Sequence, residues 1–519
     1  MFTRQSVWAN GGDFSDPTLL WYAKGVGILK QRPITDPTSW TFLAAIHGIN
    51  IPLWINFEYL AEGASLPSAA VQTKFWQQCQ HQSWYFLPWH RGYILSLEAI
   101  VCAAIIDAGG PADWALPYWN YSDTNNPNTR DLPSAFSAQT LPDGTPNPLF
   151  VQRRYGQQQG SIPIPQRDVN LTRALNSTVY TGSNGGNPGF GGLRTGFSHG
   201  GGVSGNLESV PHNGVHVDIG RSVNGGRRLT DLGLMTNPDT AALDPTFYCH
   251  HANIDRLWQV WLERGAANRN PTDAAWLTGP ADRKFCVPKT DGTAWEYTAE
   301  DVLSTEDLGY SYDDTAYPLE GESAAATRME RLSAALEAIA VAPESEVAIM
   351  DDNKRAELIG ANEERMTLLG SSASTKVQLD NRTMQRTFGS FAEAANVESA
   401  VPEPDRVYLN LENVRSAVDG QVIDVYVNLP DDADPSQHPD RYVGTLALFG
   451  VSKASQTDQP HGGTGVTEVF DITDVIDAIQ MEGALADLSE LDVQLKPRNE
   501  LTEDHNITIE RISVYREGN

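Results

Sequence analysis

Eight of the 11 histidines lie before residue 313. Six of them sit on or just beside stretches whose other inward positions are apolar: His47, His81, His90, His212, His216 and His251. A buried imidazole needs a partner for its ring nitrogens, and a metal ion is one of the few that suits. A single case is more often a hydrogen-bonded core histidine; six, in two groups of three, are hard to produce by chance. His212 and His216 stand four apart in PHNGVHVDIG, so on a helix both rings point the same way, the simplest chelating geometry. All-imidazole sets suit copper, zinc, iron or nickel, and affinity peaks at copper. A hydrolytic zinc site wants a general-base carboxylate, as in HExxH, and that motif is missing. Non-haem iron oxygenases use two histidines and a carboxylate. Three neutral imidazoles per ion favour copper, whose lower oxidation state tolerates three ligands and takes dioxygen.

These side chains need helices to position them. In DPTFYCHHANIDRLWQVW, residues 244–261, Asp244-Pro245 reads as a helix start. His251 shares a stripe with Phe247, Ile254, Trp258 and Leu262. Its neighbour His250 is rotated by about 100° and is not expected to face the same site in the same way. Residues 36–48 form a second predicted helix with Trp40, Leu43, Ala44 and His47 on one face. A long helix from about residue 89 buries His90, Ile94, Leu97 and Val101, while His81 falls in a non-helical connection.

The chain of 519 residues is too long for one core, so two domains and a linker are expected. A net charge of −29 argues against nucleic acid or an anionic membrane as partner. Four scattered cysteines make no disulfide framework, and no stretch of about 18 apolar residues suggests a membrane span. The N-terminus lacks a signal-peptide pattern, which favours a cytoplasmic location, with export on a partner protein as the other route. Residues 1–312 read as the catalytic domain, including a Gly-, Pro- and Asn-rich loop region around 182–205 in which His199 is expected at the surface. Residues 313–355 read as an acidic, partly helical linker. From 356 the period changes to two, giving an antiparallel β-sandwich of seven or eight strands over 356–519.

The pieces SWTFLAAIHGI, CQH, YFLPWHRGYILSLE, PHNGVHVDIG and DPTFYCHHANIDRLW, in that order, resemble the two copper-binding regions of the tyrosinase, catechol oxidase and haemocyanin family. The resemblance implies a dinuclear copper site in an antiparallel four-helix bundle with long loops. One copper would be held by His47, His81 and His90, the other by His212, His216 and His251, leaving His250 structural. It further implies a thioether between Cys79 and His81, and a water near copper oriented by Glu208 and Asn213, helping to deprotonate a phenol. Phe247 matches the aromatic packed between ligands, and Asp255 would orient a ligand imidazole from outside the metal shell. Pro238 aligns with the gate over the second copper. Tyr310-Ser-Tyr312 resembles the motif that closes the catalytic domain against an N-terminal arginine, here Arg4. The C-terminal strands resemble a β domain that shields the active site, with Phe449 as the plug.

The implied activity is that of a latent phenol oxidase, which uses dioxygen as co-substrate to turn o-diphenols into o-quinones and also hydroxylates monophenols. Its partners would be small phenols. A haemocyanin-like oxygen carrier and an o-aminophenol oxidase share the same copper ligands, and a zinc hydrolase is the reading without copper.

Overall fold

A computed structural model describes residues 2–518 except 158–162, 266, 319–327, 329–355, 381–404, 458–462 and 483–488. The expected acidic linker helix over 313–355 therefore falls almost wholly outside the described residues.

The N-terminal part is helical with long connections. Helix α1 spans Pro17–Gln31, α2 Trp40–His47, α3 Phe86–Asp107, α4 Gly214–Gly220 and α5 Thr246–Glu263. Local chemistry sets their starts. Ser39 caps α2 by accepting from the Phe42 amide, and Asp244 accepts from the Thr246 amide at the head of α5. Helix α3 begins three residues earlier than the pattern suggested, which brings His90 into its second turn. By length and composition α3 could cross a membrane, but 78% of its apolar window is buried inside the protein. It packs between α1 and α5 as the central core helix.

Strand β1, Phe2–Arg4, pairs in parallel with β3, Tyr310–Tyr312, so the first and last strands of the helical part close on one another. The Arg4 guanidinium, fully buried, donates to Glu98, Asp255 and the Tyr312 hydroxyl and lies 3.9 Å over the Tyr310 ring.

The C-terminal strands are β4 (Ala356–Ala361), β5 (Ala373–Leu379), β6 (Arg406–Val414), β7 (Val422–Val427), β8 (Tyr442–Ala447), β9 (Val466–Asp471), β10 (Glu490–Pro497) and β11 (Arg511–Glu517). They do not divide into the two facing sheets expected of a sandwich. Among the described residues they join β2 (Gly202–Val203) in one curled, nine-stranded sheet of order β8-β7-β10-β5-β4-β11-β6-β9-β2, antiparallel throughout except at its last pair. Alternation marks a half-buried strand but not how many sheets share the core. Here a helix, Thr473–Glu482, supplies Val475, Ile476 and Ile479 to that core, beside a small two-stranded ladder of Met366–Leu368 with Ile507–Ile509. The ninth strand, β2 (Gly202–Val203), comes from the glycine-rich loop of the helical part and adds in parallel to β9. Gly185 of the same loop lies against the Tyr515 ring, where a Cβ would come within 2.6 Å.

Candidate metal centre

Helices α2, α3, α4 and α5, the helical turn Glu208–Asn213 before α4 and the loop after Gln80 bring six imidazoles into one buried region. His47, His81 and His90 have ring centroids 5.4, 5.7 and 5.8 Å apart. For His212, His216 and His251 the separations are 4.5, 4.9 and 5.6 Å. The two groups meet where His90 and His251 stack at 4.2 Å, only 10° from parallel.

Four rings are anchored through Nδ1, which leaves Nε2 facing inward. His47 bonds to the Pro238 carbonyl at 2.7 Å, His90 to the Phe86 carbonyl at 2.8 Å and His216 to the Met235 carbonyl at 2.8 Å. His212 bonds to the Asn213 side-chain oxygen at 2.9 Å. An Nδ1–H tied to an oxygen fixes the tautomer with its lone pair on Nε2, the usual outer arrangement of metal-binding histidine. His47 Nε2 and His212 Nε2 are buried without a hydrogen-bond partner. His216 Nε2 and His251 Nε2 lie 3.4 Å apart. Two nitrogens each about 2.0–2.1 Å from one ion at a tetrahedral angle stand roughly 3.4 Å apart, so that spacing fits a shared ion. Burial holds His47 and His212 down to about 3 and drives the other four well below the ordinary imidazole value. All six are neutral donors near neutral pH. Orphaned inward nitrogens, neutral imidazoles and no carboxylate in either group fit a pair of copper ions.

The other expected site residues fall as follows. Cys79 Sγ sits 3.4 and 3.6 Å from the two nitrogens of His81 and 3.4 Å from His90 Nε2. Phe247 lies between the groups, 4.8 Å from His47 and 4.2 Å from His251. The Glu208 carboxylate accepts from the Gln82 amide at 2.8 Å, and burial pushes it up to about 8. Asn213 tethers His212 directly. Phe449, from the turn after β8, reaches in and stacks on His216 at 4.0 Å while standing edge-on to His81 and His212.

Three expectations change. Asp255 touches no imidazole: it accepts from Arg4, Arg91, Tyr310 and Tyr312, and so ties α5 to α3 and β3. Its neighbour Arg256 pairs with Asp314 instead. Pro238, expected as the gate over the second copper, gives its carbonyl to the His47 proton of the first group, while its ring abuts Gly450, next to Phe449. His199 is partly buried and bonds to the Cys79 carbonyl at 2.8 Å, holding the very loop that carries His81.

Sequence reasoning missed the carbonyl anchors at Phe86 and Met235, since a backbone oxygen carries no residue signal. It also missed the polar contacts holding the sheet against the site. Arg498 reaches Asp168 at 2.5 and 2.7 Å and Asp424 at 2.9 Å. Lys453 pairs with Asp239 at 2.5 Å, Asp419 accepts from Asn237 and Ser452, and Glu468 accepts from Ser209.

Residues 37–264 match the family model for the common central domain of tyrosinase, and residues 355–517 match a domain of unknown function. A tyrosinase of Hahella sp. strain CCB-MM4 is 34% identical over 526 residues, covering all of both chains. The chain belongs to the tyrosinase family. Polyphenol oxidase A1 of Vicia faba, chloroplastic, is 29% identical over 58% of this tyrosinase-family chain and 46% of its own length. The fold is shared with latent apple tyrosinase, at a TM-score of 0.60 and 20% identity over 100% of this chain and 97% of that one. A latent aurone synthase also matches at 0.60, with 18% identity and coverages of 100% and 89%. These matches place the helical core and the C-terminal sheet together in one fold.

Proposed function

We propose that this tyrosinase-family chain is a latent phenol oxidase that uses dioxygen to oxidise o-diphenols to o-quinones and to hydroxylate monophenols. The observation that carries it is the meeting of two imidazole triads at the His90–His251 stack, with the Phe449 ring stacked on His216 beside it. His47, His81 and His90 would hold one copper, and His212, His216 and His251 the other. When bound, the copper pair supplies dioxygen binding and the redox change, which no side chain here can provide.

The protein's own residues do the rest. The four helices α2, α3, α4 and α5 act as a bundle that brings ligands from distant parts of the chain to one depth. Hydrogen bonds from Nδ1 hold the rings in register before any ion arrives. Cys79, within 3.6 Å of both His81 nitrogens, would form the thioether that fixes that ring where no helix does. Glu208, its carboxyl raised to about 8 by burial, holds a proton near neutral pH in the shielded form; once ionised, it would orient with Asn213 a water that takes the proton of an entering phenol. Asn213 serves by orienting His212. Residues 1–312 form the catalytic unit, 356–519 the shield, and cleavage between them removes Phe449 from the pocket. The similarity to a tyrosinase and to polyphenol oxidases supports this activity, and the shared fold with a latent tyrosinase supports the shield.

The test is oxygen consumption with catechol and with tyrosine, before and after limited proteolysis between the two units. Turnover that rises on cleavage supports the proposal. Reversible oxygen binding without turnover in either form would make the chain a carrier instead.

A further inference from the structure

His81 is the one proposed copper ligand borne by neither a helix nor a helical turn. Its ring nitrogens meet the Cys79 thiol rather than a backbone carbonyl, so its own backbone must hold the ring in place. The glycine-rich loop fixes that backbone from outside, with one hydrogen bond to each residue from Cys79 to Gln82. The His199 Nδ1–H donates to the Cys79 carbonyl at 2.8 Å, and the Ser198 amide donates to the Gln80 side-chain oxygen at 2.9 Å. The His81 amide donates to the Ser198 carbonyl at 3.3 Å, and the Gly201 amide to the Gln82 side-chain oxygen at 3.1 Å. Gln82 has a φ of +48°, a left-handed conformation that a non-glycine residue keeps only where its surroundings dictate it. At Gly202 the two segments come so close that a Cβ would stand 3.2 Å from the Gln82 carbonyl oxygen. From there the chain runs along β2, which pairs with Val466 and Thr467 of the shield. The segment from Ser198 to Val203 is therefore fixed at its far end by the shield's sheet and lies with its near end on the ligand loop.

We infer that this segment is a strap that positions His81, and that His199 is the positioning residue through which it supports the first copper. The inference rests on the copper reading proposed above. His199 acts through the Cys79 carbonyl: fixing that peptide fixes the turn from which His81 projects and keeps the thiol at its ring. Ligand imidazoles need support from outside the metal shell, and His47 and His90 take it from the carbonyls of Pro238 and Phe86. For His81 the strap takes that place. Through β2 it also gives the shield a second link to the site besides Phe449.

The experiment uses the uncut chain with His199→Leu, which removes the donor, and His199→Asn, whose side-chain amide can donate in place of Nδ1. In the metal-free chain, backbone amide exchange over residues 79–83 is expected to be about fivefold faster in His199→Leu, the factor that one net hydrogen bond is worth. In the copper-loaded chain, His199→Leu is expected to give up one of two coppers to EDTA about tenfold faster than wild type and the other at an unchanged rate. His199→Asn is expected to stay near wild type in both measurements. In a His90→Ala background, expected to keep only the second copper, adding His199→Leu is expected to change nothing. Wild-type exchange or wild-type copper release in His199→Leu overturns the inference. Equal acceleration of both coppers, or faster release in the His90→Ala background, means general loosening and overturns it too. Fewer than two coppers in wild type overturns the copper reading itself, and the exchange rates, measured without metal, tell that failure from a failure of the strap. Should His199→Leu not fold by near-UV circular dichroism, His199→Ala decides by the same rates.

Discussion

Phe449 and His216 lie face to face, their centroids 4.0 Å apart and their planes 18° from parallel, although they are far apart in the sequence. A phenolic ring needs that same face to approach the metal group, so the contact is a competitive one. Phe449→Ala in the uncut chain is expected to raise kcat/KM for catechol at least tenfold. After cleavage and removal of the shield the same substitution is expected to change nothing, and a large effect there would mean that Phe449 acts on the fold rather than on access.

Arg498 holds the shield to the catalytic unit through Asp168, which is almost fully buried. Removing one partner of a buried ion pair costs about 3–5 kcal/mol, because the other charge is left unpaired. Arg498→Ala is therefore expected to let the shield dissociate after cleavage. Gel filtration of the nicked protein is the check: co-elution as tightly as in wild type would show that the pair is incidental.

Asp419 gives a pH dependence of defined sign. Burial, opposed by hydrogen bonds from Ser452 and Asn237, pushes its carboxyl up from 3.8 to about 6. The folded form then holds the proton more tightly than the unfolded chain. Its contribution is fully present below about pH 4 and is lost as pH rises through 6, by about 3 kcal/mol. Urea unfolding of Asp419→Asn against wild type should show a stability difference that grows in the variant's favour between pH 4 and pH 7. A pH-independent difference would contradict the assignment.

Cys79 Sγ lies 3.4 and 3.6 Å from the two His81 nitrogens. After copper loading and exposure to oxygen, mass spectrometry of the peptide spanning both residues is expected to find it lighter by two hydrogens and resistant to thiol alkylation. A freely alkylated Cys79 would rule out the bond.

Three ligands were legible because each lies on a periodic apolar stripe: His47 after Trp40 and Leu43, His90 before Ile94 and Leu97, His251 after Phe247. The His212/His216 spacing needed only the pitch of a helix. Phe449 was legible from its place at a strand end, by resemblance to shielded relatives. The single sheet was not, since alternation in Val422–Val427 or Arg511–Glu517 is the same whether its partner lies in one sheet or two. Asp255 was misassigned because a carboxylate four residues after a histidine looks like its support, whereas Arg4, some 250 residues away in sequence, claims it. Pro238 was harder to read for a related reason: the decisive contact is its backbone carbonyl, to which side-chain type gives no clue.

The most direct test of the central claim is copper stoichiometry combined with oxygen uptake on catechol for the cleaved wild-type chain and His90→Ala. Two coppers per chain with rapid uptake in wild type, and loss of both the first copper and the uptake in the variant, are the expected results. One copper in wild type, or full uptake in His90→Ala, would contradict a centre built from two imidazole triads.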